Sequence, residues 1–157
     1  MPIHYVQGDA TNPAGDDPRI IVHVCNDLGA WGKGFVLAVS KKWPAAERAY
    51  REWHEGGGDV PFELGQVQFA EVEPSVWVAN LIGQEGIRPA GGVPPVRYEA
   101  IRRGLQRVAD FALAKKASVH MPRIGCGLAG GRWEEVGRIV EQELVDEGVA
   151  TTVYDLG

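Results

Sequence analysis

The chain has 157 residues, of which 45% are hydrophobic and 24% are charged, and its formal net charge is −5. This size and composition are typical of one globular domain, here 1–157, and the acidic balance argues against general nucleic-acid binding, which needs a basic surface. The two cysteines are too few for a disulfide framework and lack metal-site spacing, so neither a metal nor a cofactor is expected.

The apolar segments are short. No run approaches the roughly 20 apolar residues of a membrane span. The first ten residues, MPIHYVQGDA, lack the charged and apolar regions of a signal peptide. We therefore expect a cytoplasmic protein that does not contact membranes.

The first half of the chain begins with two short strands and continues with two helices. The run RIIVHVC is β-rich and apolar on both faces, which is typical of a central strand buried on both sides. A glycine-rich loop at 26–34, the first glycine loop, follows it. Strands are predicted at 3–7 and 19–25, and helices at 35–43 and 45–54.

The second half adds two strands, a long helix and a final strand–helix–strand unit. The segment 96–116 is amphipathic, because Ile101, Leu105, Val108 and Ala112 fall on one stripe. Strands are predicted at 66–72, 76–82, 118–122 and 149–154, and the last helix at 132–147.

Strands separated by helices indicate an α/β protein. The order β-β-α-α-β-β-α-β-α-β predicts a three-layer α/β/α sandwich with a mixed, largely parallel central sheet. Ligands of such sheets bind beyond the carboxyl ends of the strands. Both glycine-rich loops leave strand ends, so we expect them to face one crevice.

The segment 122–131, PRIGCGLAGG, is the second glycine loop. It lies between a strand and a helix start. Glycines let backbone N–H groups approach an anion closely, and the helix dipole adds partial positive charge. The segment therefore predicts an anion cradle.

Two familiar phosphate motifs fit this sequence poorly. Residues 125–130 satisfy G-x-G-x-x-G, but they occur in the last strand–helix unit, and the acidic residue expected about 20 positions later is missing. In the first glycine loop, Gly32-Lys33-Gly34 hints at a P-loop. Asp27 and Gly34 stand where that motif needs Gly and Ser or Thr.

Several residues have a structural and a functional interpretation. His23 lies in an apolar strand, where a satisfied core histidine is favoured over a catalytic one. Cys25 and Cys126 are interpreted as small buried side chains. The tryptophans mostly indicate packing, except that Trp31 lies in a ligand-facing loop and is expected on a pocket wall.

Four segments in order resemble the macrodomains, a family that binds ADP-ribose. They are Gly8-Asp9-Ala10-Thr11 after the first strand, Val22-His23-Val24-Cys25-Asn26, Gly32-Lys33-Gly34-Phe35, and Met121–Leu128. The last segment, with Trp133-Glu134-Glu135-Val136, is very similar to the terminal ADP-ribose protein glycohydrolase branch. The segment 20–35 also resembles the yeast ADP-ribose 1″-phosphate phosphatase.

The resemblance implies a binding role for each of these segments. Asp9 would accept a hydrogen bond from the adenine amino group, the N–H of Ala10 would contact adenine, and Leu156 would cover it. Both glycine loops would surround the diphosphate. The remaining implied binding residues are Trp31, Gly32, Gly34, Phe35, Arg123, Ile124, Gly125, Cys126, Gly127 and Leu128.

The catalytic residues of the glycohydrolase branch are not matched. That branch uses a lysine that attacks the ribose C1″ and an aspartate directly after Gly-Cys-Gly-Leu. Ala129 stands at the aspartate position, and alignment places Glu71 or a neighbour at the lysine position. A covalent lysine route is therefore not expected, and direct attack of an ordered water is favoured.

Three functions follow from the resemblance. The first is hydrolysis of ADP-ribose from modified acidic side chains of proteins, with Asn26, Asp27 and Lys33 near the distal ribose. Each of these residues also has a rival interpretation. Asn26 would cap its loop, Asp27 would be structural, and Lys33 would be a solvated surface residue. The alternatives are an ADP-ribose 1″-phosphate phosphatase and a non-catalytic ADP-ribose reader. The expected partners are ADP-ribose and ADP-ribosylated proteins.

Overall fold

The computed structural model describes residues 2–156, and a six-stranded sheet forms its centre. The strand order is β1-β6-β5-β2-β4-β3, and every neighbouring pair is parallel except β3 with β4. The strands are β1 (His4–Gln7), β2 (Arg19–Asn26), β3 (Val67–Glu73), β4 (Val76–Gln84), β5 (Ser118–Met121) and β6 (Thr151–Asp155).

Helices cover both faces of the sheet. They are α1 (Phe35–Lys42), α2 (Pro44–His54), α3 (Tyr98–Lys115) and α4 (Trp133–Val140), and a π-helical turn, Glu141–Val145, continues α4. Alternate residues of β2 separate the two cores: Ile20 and Val22 pack with α3 and α4, whereas Ile21 and Cys25 pack with α1 and α2. This alternation follows from the strand period of two. The predicted three-layer sandwich is thereby confirmed.

Most predicted boundaries differ from the observed ones by one or two residues, and the ends of β4 and α4 are the most informative differences. Strand β4 continues to Gln84, two residues beyond the predicted end, because Gln84 still pairs with Asn26 after a bulge at Gly83 of β4. The last regular α-helical segment ends at Val140 and not near residue 147, because the backbone there widens into the π-turn. No helix within residues 2–156 has the length and apolar character that crossing a membrane would require.

Candidate ligand-binding and active site

A cavity of about 250 Å³ lies where β2, β4 and β5 end. The ends of these strands lie together because β2 pairs in parallel with both β4 and β5. Residues from both glycine loops form its walls, as the positions of the loops predict. The lining residues are His23, Val24, Lys33, Gly34, Phe35, Val36, Gln84 and the segment 122–129.

The second glycine loop is held by its own backbone. The N–H of Gly130 donates to the carbonyl oxygen of Gly127 (3.1 Å), and the N–H of Gly131 donates to that of Gly125 (2.8 Å). Gly125 has φ +71°, and a Cβ there would lie 2.8 Å from Cδ1 of Ile101, so this position requires glycine. Within the described chain, the N–H groups of residues 124–128 donate to no protein acceptor, which leaves them available to an anion.

The first glycine loop is organised by the side chain of Asn26. Its Oδ1 accepts hydrogen bonds from the N–H of Leu28 (2.9 Å) and Ala30 (3.1 Å), and its Nδ2 donates to the carbonyl oxygen of Ala30 (2.8 Å). The Tyr50 hydroxyl donates to the backbone oxygen of Asn26 at 2.7 Å. Asn26 is buried, so these contacts assign it the loop-capping role.

The two loops meet across the cavity. A Cβ on Gly34 would lie 3.4 Å from Cδ1 of Leu128. The Lys33 side chain lines the same wall, and it pairs with no acidic side chain among residues 2–156. The cavity therefore combines free backbone donors with a basic lining residue, and both favour an anion.

A neutral histidine lies at the floor of the cavity. Nδ2 of Asn80 donates to Oε1 of Gln68 (3.0 Å) and the backbone oxygen of Ala46 (3.3 Å). Oδ1 of Asn80 is therefore the acceptor, and Nε2 of His23 donates to it at 2.6 Å. Burial lowers the pKa of His23 to about 4, although the Asn80 hydrogen bond opposes this shift. His23 is therefore uncharged near pH 7.

Gly86 joins two polar side chains at the carboxyl end of β4. Its N–H donates to Oδ1 of Asp27 at 2.8 Å, and its carbonyl oxygen accepts from Nε2 of Gln84 at 3.0 Å. Gly86 has φ +71°, a conformation that favours glycine. Asp27 therefore ties the first glycine loop to the segment after β4.

The edge of the sheet at β1 and β6 carries the residues expected to bind adenine. Oδ1 of Asp9 accepts from the N–H (2.8 Å) and the hydroxyl (2.7 Å) of Thr11. Asp9 is exposed, Ala10 is buried, and Leu156 after β6 is 78% exposed. Asp9 therefore stabilises a turn, and a second carboxylate oxygen remains for a ligand.

Arg123 contributes a cation to the cavity wall, and an ion pair with Asp155 already balances its charge. Its Nε and Nη2 donate to the two carboxylate oxygens of Asp155 at 2.6 and 3.0 Å. The hydrogen bond from Arg123 also lowers the pKa of Asp155. The guanidinium lies 5.4 Å from the ring centre of Tyr5 and 5.3 Å from that of Trp133. Asp155 and the two rings thus fix the orientation of Arg123.

Neither cysteine has the character of an activated thiolate. Burial raises the pKa of Cys25 well above its ordinary value. Partial burial also raises the pKa of Cys126, which lines the cavity, although Arg123 opposes this shift. Within residues 2–156, no group of His, Cys, Asp and Glu side chains is arranged to hold a metal ion.

The structure brings most of the expected binding residues together, but one expectation was wrong. Trp31 does not form a pocket wall: it is 5% exposed and packs against His23 and Tyr50 in the core. Glu71 is not near the cavity, because it lies on the antiparallel edge strand β3 and accepts the N–H of Ser75. Alignment by sequence motif had no means of showing which end of that strand faces the ligand.

Gln84 is a cavity residue that sequence reasoning missed. It lies at the end of β4, beyond the predicted strand. A signal was present, because the carboxyl ends of buried parallel strands collect ligand-binding side chains. Of the three expected catalytic residues, only Lys33 lines the cavity, while the side chains of Asn26 and Asp27 are bonded to the surrounding loops.

Comparison with solved structures shows the family. No model of a known protein family matches the chain. A macrodomain protein from Streptomyces coelicolor is 55% identical, the match covers 99% of both chains, and the TM-score is 0.87. The chain therefore belongs to the macrodomain family, as its motifs suggested.

Curated relatives are more distant. The chain is 32% identical over 164 residues to chromodomain-helicase-DNA-binding protein 1-like of Danio rerio, a match over 97% of this chain. The chain spans only 15% of the length of that relative and 17% of the mouse protein of the same name. It is also 26% identical over 141 residues to an ADP-ribose 1″-phosphate phosphatase of Candida albicans, covering 85% of this chain and 88% of that one.

Proposed function

We propose that this macrodomain binds ADP-ribose and hydrolyses the bond between ADP-ribose and modified acidic side chains of proteins. The observation that carries the proposal is the cavity between the two glycine loops. Its lining combines residues 124–128, whose N–H groups have no protein acceptor in the described chain, with the basic residue Lys33. A diphosphate is the part of ADP-ribose that such a space suits.

The strand order gives the ligand a direction. Adenine would lie beyond β1 and β6, against Asp9, Ala10 and Leu156. The diphosphate would lie between the loops that follow β5 and β2. The distal ribose would then lie beyond β2 and β4, since these strands come next in the sheet. Both the cleaved bond and the attacking water belong at this end of the cavity.

The proposed reaction is direct displacement by water. The water oxygen bonds to the ribose C1″ while the bond from C1″ to the carboxylate oxygen of the modified side chain breaks. That carboxylate leaves with the bonding electrons, and one proton of the water passes to a ligand phosphate oxygen and then to solvent. The transition state is oxocarbenium-like, so the adjacent diphosphate stabilises it and the leaving carboxylate needs little general acid.

Lys33 and the loop residues would act differently in this scheme. Lys33 lines the cavity and would neutralise charge on the diphosphate. Asn26 and Asp27 would keep the first glycine loop and the segment after β4 in place, because their observed hydrogen bonds lie within these loops. The proposal therefore treats Asn26 and Asp27 as positioning residues.

The test is incubation with a glutamate-ADP-ribosylated protein in ¹⁸O-labelled water. We expect release of ADP-ribose with unlabelled carboxylate on the protein, because attack occurs at C1″. Label in the glutamate carboxylate would refute attack at C1″. Absence of release at enzyme concentrations equal to the substrate would overturn the hydrolase proposal itself.

A phosphatase acting on ADP-ribose 1″-phosphate is the second candidate. It is favoured by His23, which lines the cavity floor in a neutral form, and by the similarity to the Candida albicans phosphatase. Phosphate release from ADP-ribose 1″-phosphate tests it, and His23→Gln should slow that release if His23 takes part. ADP-ribose binding with neither activity would select a reader.

A further inference from the structure

The cavity wall contains no carboxylate within the described chain. Its polar side chains are His23, Lys33, Gln84 and Arg123. Lys33 and Arg123 carry only donors, and Arg123 is already paired with Asp155. His23 lies at the floor and donates to Asn80. The Gln84 amide therefore offers a neutral side-chain acceptor for a water on the β4 side of this wall.

The Gln84 amide is held in one orientation. Its Nε2 donates to the carbonyl oxygen of Gly86 at 3.0 Å. Gly86 is itself fixed through its N–H, which donates to Asp27. The backbone of Gln84 pairs with Asn26 on one side and with Val96 on the other. This bond uses one N–H of Nε2 and fixes the side of the amide on which Oε1 lies, so Oε1 is the acceptor that this side chain offers to a water.

Gln84 also lies at the end of the cavity where the reaction is proposed. Strand β4 is on the far side of β2 from β5, β6 and β1. The adenine end of the ligand, beyond β1 and β6, and Gln84 are therefore at opposite ends of the binding edge. A side chain at this place would meet the distal ribose and not the base.

We propose that Gln84 positions the attacking water, an inference that rests on the proposed hydrolase function. Oε1 accepts one O–H of the water and directs an oxygen lone pair at C1″. The amide takes up no proton, so the second O–H of the water is the one that breaks and gives its proton to the ligand phosphate. Gln84 thereby supplies orientation, and the ligand supplies the base.

The test compares three variants in single-turnover release of ADP-ribose from a glutamate-modified protein. Gln84→Met keeps the length of the side chain without an acceptor and should slow release 10- to 100-fold. Gln84→Ala should do the same. Gln84→Glu keeps an acceptor oxygen, so its release rate at pH 7 should be at least tenfold higher than that of Gln84→Met. Its rate should fall at acidic pH as the carboxylate is protonated, a dependence absent from Gln84→Met.

ADP-ribose affinity separates positioning from binding. Calorimetry should give all three variants a Kd within threefold of the wild-type value, because Gln84 contacts the water and not the diphosphate. Gln106→Met, on the exposed surface of α3, is the matched control and should leave both rate and affinity unchanged. Parallel loss of affinity and rate in Gln84→Met would overturn the inference in favour of a binding role.

The two levels of the proposal fail separately. An inactive wild-type protein would refute the hydrolase function before Gln84 is considered. An active wild-type protein with a wild-type rate in Gln84→Met would refute only the role of Gln84. An equally slow Gln84→Glu would also refute it, because that variant retains the acceptor.

Discussion

The first glycine loop is held by side chains, whereas the second is held by its own backbone. In the first, the Asn26 amide bonds to Leu28 and Ala30, and Tyr50 supports it from α2. In the second, turns at Gly125 and Gly130 and the bond from Gly131 N–H to the Gly125 carbonyl set the shape. Both loops present backbone to the same cavity.

This difference predicts how each loop can be broken. Removing one side chain should disturb the first loop, because the bonds that hold it converge on Asn26. No single side chain holds the second loop in this way. Its binding should instead be disturbed by a side chain added at one of its glycines.

Gly127→Glu should have the largest effect on binding. A Cβ at Gly127 would meet no atom within 4 Å, so the substitution is sterically tolerated by the protein itself. The carboxylate would enter the space assigned to the diphosphate, and like-charge repulsion of about 3 kcal/mol corresponds to a loss of roughly 100-fold in ADP-ribose affinity. Isothermal calorimetry measures this loss.

Gly127→Ala is the matched control for that variant. It adds a methyl group without charge, so it should bind ADP-ribose with an affinity within about threefold of wild type. A tenfold change would need roughly 1.4 kcal/mol of lost binding free energy. Both variants should unfold at the wild-type temperature. Wild-type affinity in Gly127→Glu would contradict the assignment of the second glycine loop as half of the diphosphate site.

Asn26→Ala should weaken the protein as well as its binding. The variant leaves the partly buried N–H groups of Leu28 and Ala30 without their partner, and losing these two hydrogen bonds should lower the free energy of unfolding by about 2 kcal/mol. ADP-ribose affinity should fall with it, because the first loop loses its shape. Urea denaturation and calorimetry measure the two effects.

Tyr50→Phe is the control for Asn26→Ala. It removes the hydroxyl that supports Asn26 but keeps the amide bonds to Leu28 and Ala30. Stability should therefore fall by about 1 kcal/mol with affinity retained. If Asn26→Ala instead lost affinity at full stability, Asn26 would contact the ribose directly, and the capping role would be insufficient.

The sequence was informative about the loops and less so about what lies around them. The glycine patterns at 26–34 and 122–131 predicted the cavity, because steric freedom and strand ends are local properties. The end of β4 was missed because Gln84 is polar and continues the strand through backbone pairing with Asn26, a contact that the local sequence does not show. Trp31 was misassigned because burial under a loop depends on packing against Tyr50, which is 19 residues away in the chain.

Sequence also left the role of Asn26 open between ribose contact and loop capping. The distinction depends on the distance from Asn26 to Ala30 and on the hydroxyl of Tyr50. Neither is encoded in a motif, because a loop that folds back on its first residue looks the same in sequence as one that does not. The sequence left the role of Asp27 open for the same reason, because its hydrogen-bond partner Gly86 is 59 residues away in the chain.

Acid should weaken the supports of both loops, and the effect of each histidine per pH unit should be no larger than that of Tyr50→Phe. His23 on β2 precedes the first loop and His120 on β5 precedes the second, and burial lowers the pKa of each to about 4 from 6.5. Between these values the unfolded chain binds more protons than the folded one. The free energy of unfolding should therefore fall as the pH drops from 6.5 to 4, by about 1 kcal/mol per pH unit for each histidine.

His23→Gln distinguishes the two histidines in that acid response. Glutamine can still donate to Oδ1 of Asn80, where Nε2 of His23 donates now, but it does not titrate. Urea denaturation between pH 6 and 4.5 should give this variant a pH slope about 1 kcal/mol per unit smaller than that of the wild type. The remaining histidine contribution belongs to His120, whose ring bonds to Ser118 and Tyr154. An unchanged slope would mean that His23 is already charged when folded, and the cavity floor would then carry a cation beneath the ligand.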